Sequence, residues 1–214
     1  MNSEARPTSI TWIGGWAIAP EAVLKFAHRV LPHAFHRVLP PAAWALDDIG
    51  RCDTIVGYSF GAHLLLRAPD RIAPQTQLVL LAPFLDLRRE AARGGKVPLV
   101  VLTRMLRKFR QAPIEVIADF YANLQLPDPP TQLPYALDDL TWGLELMVSG
   151  GFGPLSSLAG DLVAVVGDAD PLVDGDALAA CLQTTSVISA GHAIEPLAMH
   201  WLASHRGRPH GRAG

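Results

Sequence analysis

Residues 53–66, DTIVGYSFGAHLLL, place a serine between an apolar run and a leucine-rich segment that suits a helix. Gly57 and Gly61 lie two positions from Ser59 on either side, giving the pattern G-x-S-x-G. In a tight strand–turn–helix connection, side chains larger than hydrogen at these two positions would collide with neighbouring backbone. Such a turn holds the serine hydroxyl at the carboxyl end of a sheet, near the positive end of a helix dipole. The stretch therefore predicts a nucleophilic serine, the alternative being an ordinary Gly/Ser turn.

Short apolar runs alternate with helical patterns along the rest of the chain. Several of these runs are continuous in Val, Ile and Leu, which is typical of parallel strands buried on both faces. Strands are predicted at 9–13, 34–38, 54–58, 77–81, 162–166 and 186–189, and helices at 20–30, 62–68, 175–183 and 194–204. This alternation of strands and helices predicts an α/β fold, with a mostly parallel sheet and helices on both faces.

Residues 85–155 follow a different pattern. Helical stretches there are interrupted by the proline-rich LQLPDPPTQLP, and no clear strand is visible. We therefore expect a helical lid at 85–155, inserted into a core made of 1–84 and 156–204. Residues 205–214 contain no large apolar side chain and are expected to form a flexible tail.

Composition and charge limit the classes of function. The chain has 214 residues, of which 50% are hydrophobic, and its formal charge is −2. This favours one domain and gives no reason to invoke nucleic acid or a membrane. No signal-peptide pattern and no run of about 18 apolar residues is seen, so we expect a soluble, cytoplasmic protein. Cys52 and Cys181 have no metal-binding spacing, and we expect neither a metal site nor a disulfide.

A serine hydroxyl needs a base that accepts its proton and a carboxylate that orients the base. The sequence SVISAGHAIEP, residues 186–196, places His192 in a turn after the last apolar run and before the closing helix. His63 and His200 lie within predicted helices instead. His192 is therefore the predicted base, the alternative being a structural histidine.

Three aspartates follow the preceding predicted strand in VAVVGDADPLVD, residues 163–174. Asp170 is the preferred acid because Pro171 stiffens the loop directly after it. Asp168 remains an alternative, although it would also suit a capping role in the turn. Asp174 is placed to cap the helix that follows.

Acyl transfer also needs two backbone N–H groups directed at the oxyanion. Phe60, directly after the serine, supplies one of them in this kind of turn. The second is predicted at Trp16, in the loop ITWIGGWAIAP at residues 10–20, with its ring as a wall of the acyl pocket. The alternative is that the Trp16 ring only packs.

Together the motifs GGW at 14–16, GYSFG at 57–61, GDADPLV at 167–173 and AGHA at 190–193 resemble those of the α/β-hydrolases. Specifically, they resemble the carboxylesterases of biotin synthesis that demethylate pimeloyl-[acyl-carrier-protein] methyl ester. The resemblance implies a serine carboxylesterase without a cofactor, whose partner is an acyl-carrier protein carrying a pimeloyl methyl ester. Two departures are Gly14, where the family usually has histidine, and the absence of extra N-terminal strands, which implies a trimmed sheet.

A basic cluster falls within the predicted lid. Residues 88–110 hold eight Lys and Arg side chains against Glu90 alone. Arg104, Arg107 and Lys108 suit one helical face, with Arg110 close by. This face would dock an acidic carrier protein, the alternative being a solvated surface without a partner. The triad alone is also compatible with a thioesterase, a broad short-chain esterase or, without catalysis, a carrier-binding module.

Overall fold

Six parallel strands form the central sheet of the computed structural model, which describes residues 7–151 and 162–205. The strands, in chain order, are β1 Ser9–Ile13, β2 Phe35–Leu39, β3 Thr54–Tyr58, β4 Gln77–Leu81, β5 Asp86–Arg88, β6 Gly94–Val97, β7 Leu162–Gly167 and β8 Thr185–Ile188. The main sheet has the order β2-β1-β3-β4-β7-β8, and β5 and β6 form a separate pair. Each neighbouring pair in the main sheet runs parallel, which confirms the predicted fold class.

Seven helices connect or follow these strands in the described residues. They are α1 Pro20–Val30, α2 Phe60–Arg67, α3 Leu99–Phe109, α4 Pro113–Asn123, α5 Leu137–Ser149, α6 Gly175–Cys181 and α7 Ile194–His205. The Asp174 side chain accepts a hydrogen bond from the Ala177 N–H, so the predicted cap of α6 is confirmed. None of these helices is both long and apolar enough to cross a membrane.

The helices cover both faces of the sheet because successive strand residues point in opposite directions. In β3, Ile55 belongs to one apolar cluster and Val56 to the other. The Val56 cluster includes Phe26 of α1 and Leu197 of α7. The Ile55 cluster includes α2, α6 and the helices between β4 and β7. Burial on both faces explains why the central strands are continuous apolar runs.

The segment between β4 and β7 contains more than helices. We call its described part, residues 85–151, the insertion. It holds α3, α4 and α5, but also β5 and β6, so the expectation of no strand there is wrong. The Lys96 N–H donates to the Leu172 carbonyl, and the Asp174 N–H donates to the Gly94 carbonyl. These bonds attach β6 to the loop after β7, in addition to its pairing with β5. His205, predicted to begin the tail, is instead the last residue of α7. Core residues 1–6 and 156–161, lid residues 152–155 and tail residues 206–214 lie outside the described residues.

Candidate active site

Ser59 lies at the sharp turn between β3 and α2. Its backbone has φ 54° and ψ −114°, a positive-φ conformation that is strained for any residue with a Cβ atom. A Cβ on Gly57 would lie 2.6 Å from the Ala62 Cα, and one on Gly61 would lie 2.3 Å from the Ile13 carbonyl oxygen. Only glycine allows α2 to approach β3 and β1 this closely. The turn therefore fixes the serine at the carboxyl edge of the sheet.

The structure brings Ser59, His192 and Asp170 together from three separate loops. His192 Nε2 lies 2.9 Å from Ser59 Oγ, and His192 Nδ1 lies 2.7 Å from Asp170 Oδ2. All three are buried, with exposed fractions of 5%, 2% and 1% for Ser59, His192 and Asp170. Because Asp170 as a carboxylate can only accept, Nδ1 carries a proton, and Nε2 in the neutral ring can accept the serine proton.

Backbone and side-chain hydrogen bonds hold the acid and the base in place. Asp170 Oδ1 accepts the N–H groups of Leu172 and Val173, at 2.8 and 3.1 Å. The Tyr58 hydroxyl donates to the His192 carbonyl at 2.9 Å, and burial raises the pKa of Tyr58, which keeps this donor neutral. These contacts leave Asp170 Oδ2 and the His192 ring facing each other.

Asp168, the alternative acid, lies in a different environment. It is exposed, and its Oδ1 accepts the Ala190 N–H at 3.2 Å. This bond links the turn after β7 to the turn that carries His192. In this geometry Asp168 braces the loop, whereas Asp170 contacts the imidazole.

The two predicted oxyanion donors lie on adjacent elements. Phe60 begins α2, and Trp16 lies in the turn after β1, which α2 approaches at Gly61. Within the described residues, neither the Phe60 nor the Trp16 backbone N–H has a protein acceptor. Both groups are thus available to a ligand. The Trp16 ring packs edge-on against Phe109 and Phe120, with centroids 5.5 and 5.1 Å away.

A cavity of about 350 Å³ lies between the core and the insertion. Its wall is mostly apolar and includes Trp16, Leu102, Met105, Leu144, Met147 and Leu172. Polar side chains also line it, among them Arg104, Lys108 and Asp119. Its size and apolar surface suit a short aliphatic chain, and Trp16 lies in its wall, whereas Ser59, Phe60 and His192 do not line it.

Acidic residues outside residues 88–110 pair with several members of the basic cluster. Arg88 contacts Asp86 at 2.7 Å, Lys108 contacts Asp119 at 2.8 Å, and Arg110 contacts Glu145 at 2.7 Å. A count over residues 88–110 therefore overstates the positive charge of this surface. Arg104 and Arg107 are exposed on α3, and in the part of the chain that the structure describes they form no ion pair.

Three side chains near the site were not identified from the sequence. Lys96 Nζ donates to the Asp170 backbone carbonyl at 2.9 Å, and the hydroxyls of Tyr121 and Tyr135 bond the backbone of Ala17. Each contact joins the insertion to the core over more than 70 residues, so no local pattern could have indicated it. Within residues 7–151 and 162–205, no group of three or more His, Cys, Asp or Glu side chains could hold a metal ion.

Solved structures share this architecture, although no family model and no curated protein matches the sequence. A thermophilic esterase from Thermogutta terrifontis is 13% identical, with a TM-score of 0.63, covering 94% of this chain and 88% of that one. MGS-M2, an α/β hydrolase enzyme from a Medee basin deep-sea metagenome, is 11% identical, with a TM-score of 0.63 and coverages of 98% and 92%. BioG from Haemophilus influenzae is 15% identical, with a TM-score of 0.55 and coverages of 86% and 88%. At these identities the similarity concerns the fold.

Proposed function

The chain has the α/β-hydrolase fold, and we propose that it is a serine carboxylesterase that hydrolyses the methyl ester of pimeloyl-acyl-carrier protein. The observation that carries this proposal is the unbroken hydrogen-bond chain from Asp170 through His192 to Ser59. Two unpaired N–H groups, on Phe60 and Trp16, lie on the elements beside it. Nucleophile, base, orienting acid and oxyanion donors are the groups that acyl transfer needs.

In the proposed reaction, Ser59 Oγ attacks the ester carbonyl carbon while His192 Nε2 accepts its proton. Asp170 stabilises the resulting imidazolium through Nδ1, and the Phe60 and Trp16 N–H groups stabilise the oxyanion. Collapse of the tetrahedral intermediate breaks the bond to the methoxy group, which takes the proton from His192 and leaves as methanol. Water then attacks the acyl-enzyme, giving up its proton to His192, and the free carboxylic acid is released from Ser59. No metal or organic cofactor takes part in this sequence.

The choice of substrate rests on the motif resemblance and on the cavity beside Trp16. A cavity of about 350 Å³ with an apolar wall would hold the methylene chain between the ester and the carrier. The carrier would dock on α3, where Arg104 and Arg107 are exposed. Lys108 and Arg110 would also contact the carrier, although each already forms an ion pair within the insertion. Opposite charges across this surface would mainly accelerate encounter. As part of the proposal, the reaction takes place in the cytoplasm.

The decisive experiment is incubation of the purified protein with pimeloyl-acyl-carrier protein methyl ester, with the loss of the methyl group followed by mass spectrometry. Wild type should release methanol, and Ser59→Ala should not. Cleavage at the thioester instead would identify a thioesterase. Binding of the carrier without any Ser59-dependent turnover would identify a binding module.

The docking surface is tested with charge-reversal variants. The double variant Arg104→Glu/Arg107→Glu should lower kcat/KM for the carrier-bound ester by about tenfold at low salt, and less at high salt. Because Arg104 also lines the cavity, hydrolysis of p-nitrophenyl butyrate by the same variant measures any change there, and the loss on the carrier-bound ester should exceed it. The control Lys25→Glu/Arg51→Glu reverses two exposed charges outside the insertion. Equal effects of the two double variants on the carrier-bound ester would refute the docking site.

A further inference from the structure

The turn that carries Trp16 is strained. The Ile18 N–H donates to the Gly15 carbonyl at 3.1 Å, which closes a four-residue turn with Trp16 and Ala17 at its centre. Ala17 has φ 59° and is fully buried. A positive φ at the third position of a turn usually requires glycine, and alanine there costs about 1 kcal/mol. Other contacts must therefore hold this conformation.

The insertion supplies those contacts. The Ala17 N–H donates to the Tyr135 hydroxyl at 2.9 Å, and the Tyr121 hydroxyl donates to the Ala17 carbonyl at 3.2 Å. The Trp16 indole Nε1 donates to the Leu140 carbonyl at 2.9 Å. Burial raises the pKa of Tyr121 to about 12 and also raises that of Tyr135, so both hydroxyls stay protonated at neutral pH. The insertion thus holds Trp16, which carries the predicted oxyanion N–H, through its indole ring and through the backbone of Ala17 directly after it.

We propose that Tyr135 and Tyr121 are positioning residues of the oxyanion hole, which is fully formed only when the insertion is seated on the core. This inference rests on the proposed function. If Ala17 relaxed to a negative φ, the peptide between Trp16 and Ala17 would turn over. Tyr135 holds the N–H of that peptide, and Tyr121 holds the carbonyl of the next one. Together they keep Trp16 where its own N–H can meet the oxyanion.

The test compares Tyr135→Phe and Tyr121→Phe with wild type on p-nitrophenyl butyrate. A displaced donor weakens the transition state more than the bound ester, so kcat should fall with KM nearly unchanged. We expect a loss of about tenfold for Tyr135→Phe, smaller than the roughly 100-fold that complete loss of one donor costs. Butylboronic acid, which adds to a serine hydroxyl as a tetrahedral anion, should lose affinity by the same factor.

The matched control is Trp44→Phe. The Trp44 indole also bonds the insertion, at Asp139 Oδ2 with a distance of 3.3 Å, and it is not among the groups that hydrogen-bond the turn in the described residues. It should keep the wild-type kcat and boronate affinity. Thermal unfolding of each variant separates a loss of folding from a loss of positioning, and Tyr121→Phe provides a second variant if Tyr135→Phe does not fold.

Two outcomes distinguish a failure of the positioning role from a failure of the proposed esterase activity. If both tyrosine variants keep the wild-type kcat and boronate affinity, or change no more than Trp44→Phe, the positioning role is refuted while esterase activity stands. If wild type shows no Ser59-dependent hydrolysis of either the carrier-bound ester or p-nitrophenyl butyrate, the proposed function itself is refuted.

Discussion

Gly61 is the point at which α2 approaches the turn after β1, and Gly61→Ala tests whether this close approach positions the site. The added Cβ would lie 2.3 Å from the Ile13 carbonyl oxygen and 2.5 Å from that of Gly14. Ordinary contact begins at 3.4 Å, so the gap must widen by about 1 Å. Both neighbours are backbone atoms, and no side chain can rotate away to make room.

The size of the effect follows from this geometry. Overpacking costs about 1–3 kcal/mol, and a clash with backbone belongs at the upper end. Alanine regains at most about 1 kcal/mol over glycine in a helix, leaving a net loss of about 2 kcal/mol. The shift also separates the Phe60 N–H, on α2, from the Trp16 N–H, on the turn. A misplacement of about 1 Å corresponds to a roughly 100-fold loss in kcat.

Urea unfolding would measure the stability change, and hydrolysis of p-nitrophenyl butyrate would measure kcat. The control is Gly14→Ala in the same turn, where the new Cβ would meet its nearest atoms at 3.6 and 3.8 Å and φ is not positive. It should change stability by less than about 1 kcal/mol and kcat by no more than a few-fold. A Gly61→Ala protein with wild-type kcat, or two variants with equal losses, would refute the reasoning.

Strain at Ser59 and burial of His63 lead to two further predictions. Ser59→Gly should raise the free energy of unfolding by about 1 kcal/mol relative to Ser59→Ala, because glycine adopts φ 54° without strain; equal stabilities in urea would contradict this. Burial lowers the pKa of His63 from 6.5 to about 4, although its bond to the Phe84 carbonyl opposes the shift. The unfolded chain therefore takes up this proton first, and the stability present above pH 6.5 is lost as the pH falls toward 4. When the pH is lowered from 7.5 to 5, the free energy of unfolding of His63→Gln should fall by about 2 kcal/mol less than that of wild type. An unchanged pH dependence would exclude His63 as the cause.

The central strands could be predicted from the sequence because burial on both faces leaves a continuous apolar run. The predicted ranges 9–13, 54–58 and 77–81 coincide with β1, β3 and β4. At β8, on the edge of the sheet, the burial pattern is irregular, and the strand begins and ends one residue before the predicted range. Local patterns are thus most informative where the environment is uniform along the strand.

Contacts between distant segments could not be predicted from the sequence. The strands β5 and β6 have three and four residues, and the GGKV of β6 contains no apolar run; β6 pairs with β5 and also bonds the loop after β7. The ion pairs of Lys108 and Arg110 likewise depend on acids from α4 and α5. Neither the strands nor the neutralised charge leaves a local signature. The candidate triad differs, because a turn after a strand can be recognised locally.

The attachment of β6 to the loop after β7 determines where this protein could be recombined with another. A chimera with a foreign segment in place of all of residues 85–151 would lose both Lys96 bonds, one to Leu172 and one to the Asp170 carbonyl. A junction after Val97 would exchange α3, α4 and α5 while retaining that support. The boundary between interchangeable parts therefore lies inside the insertion, after Val97, and not directly after β4.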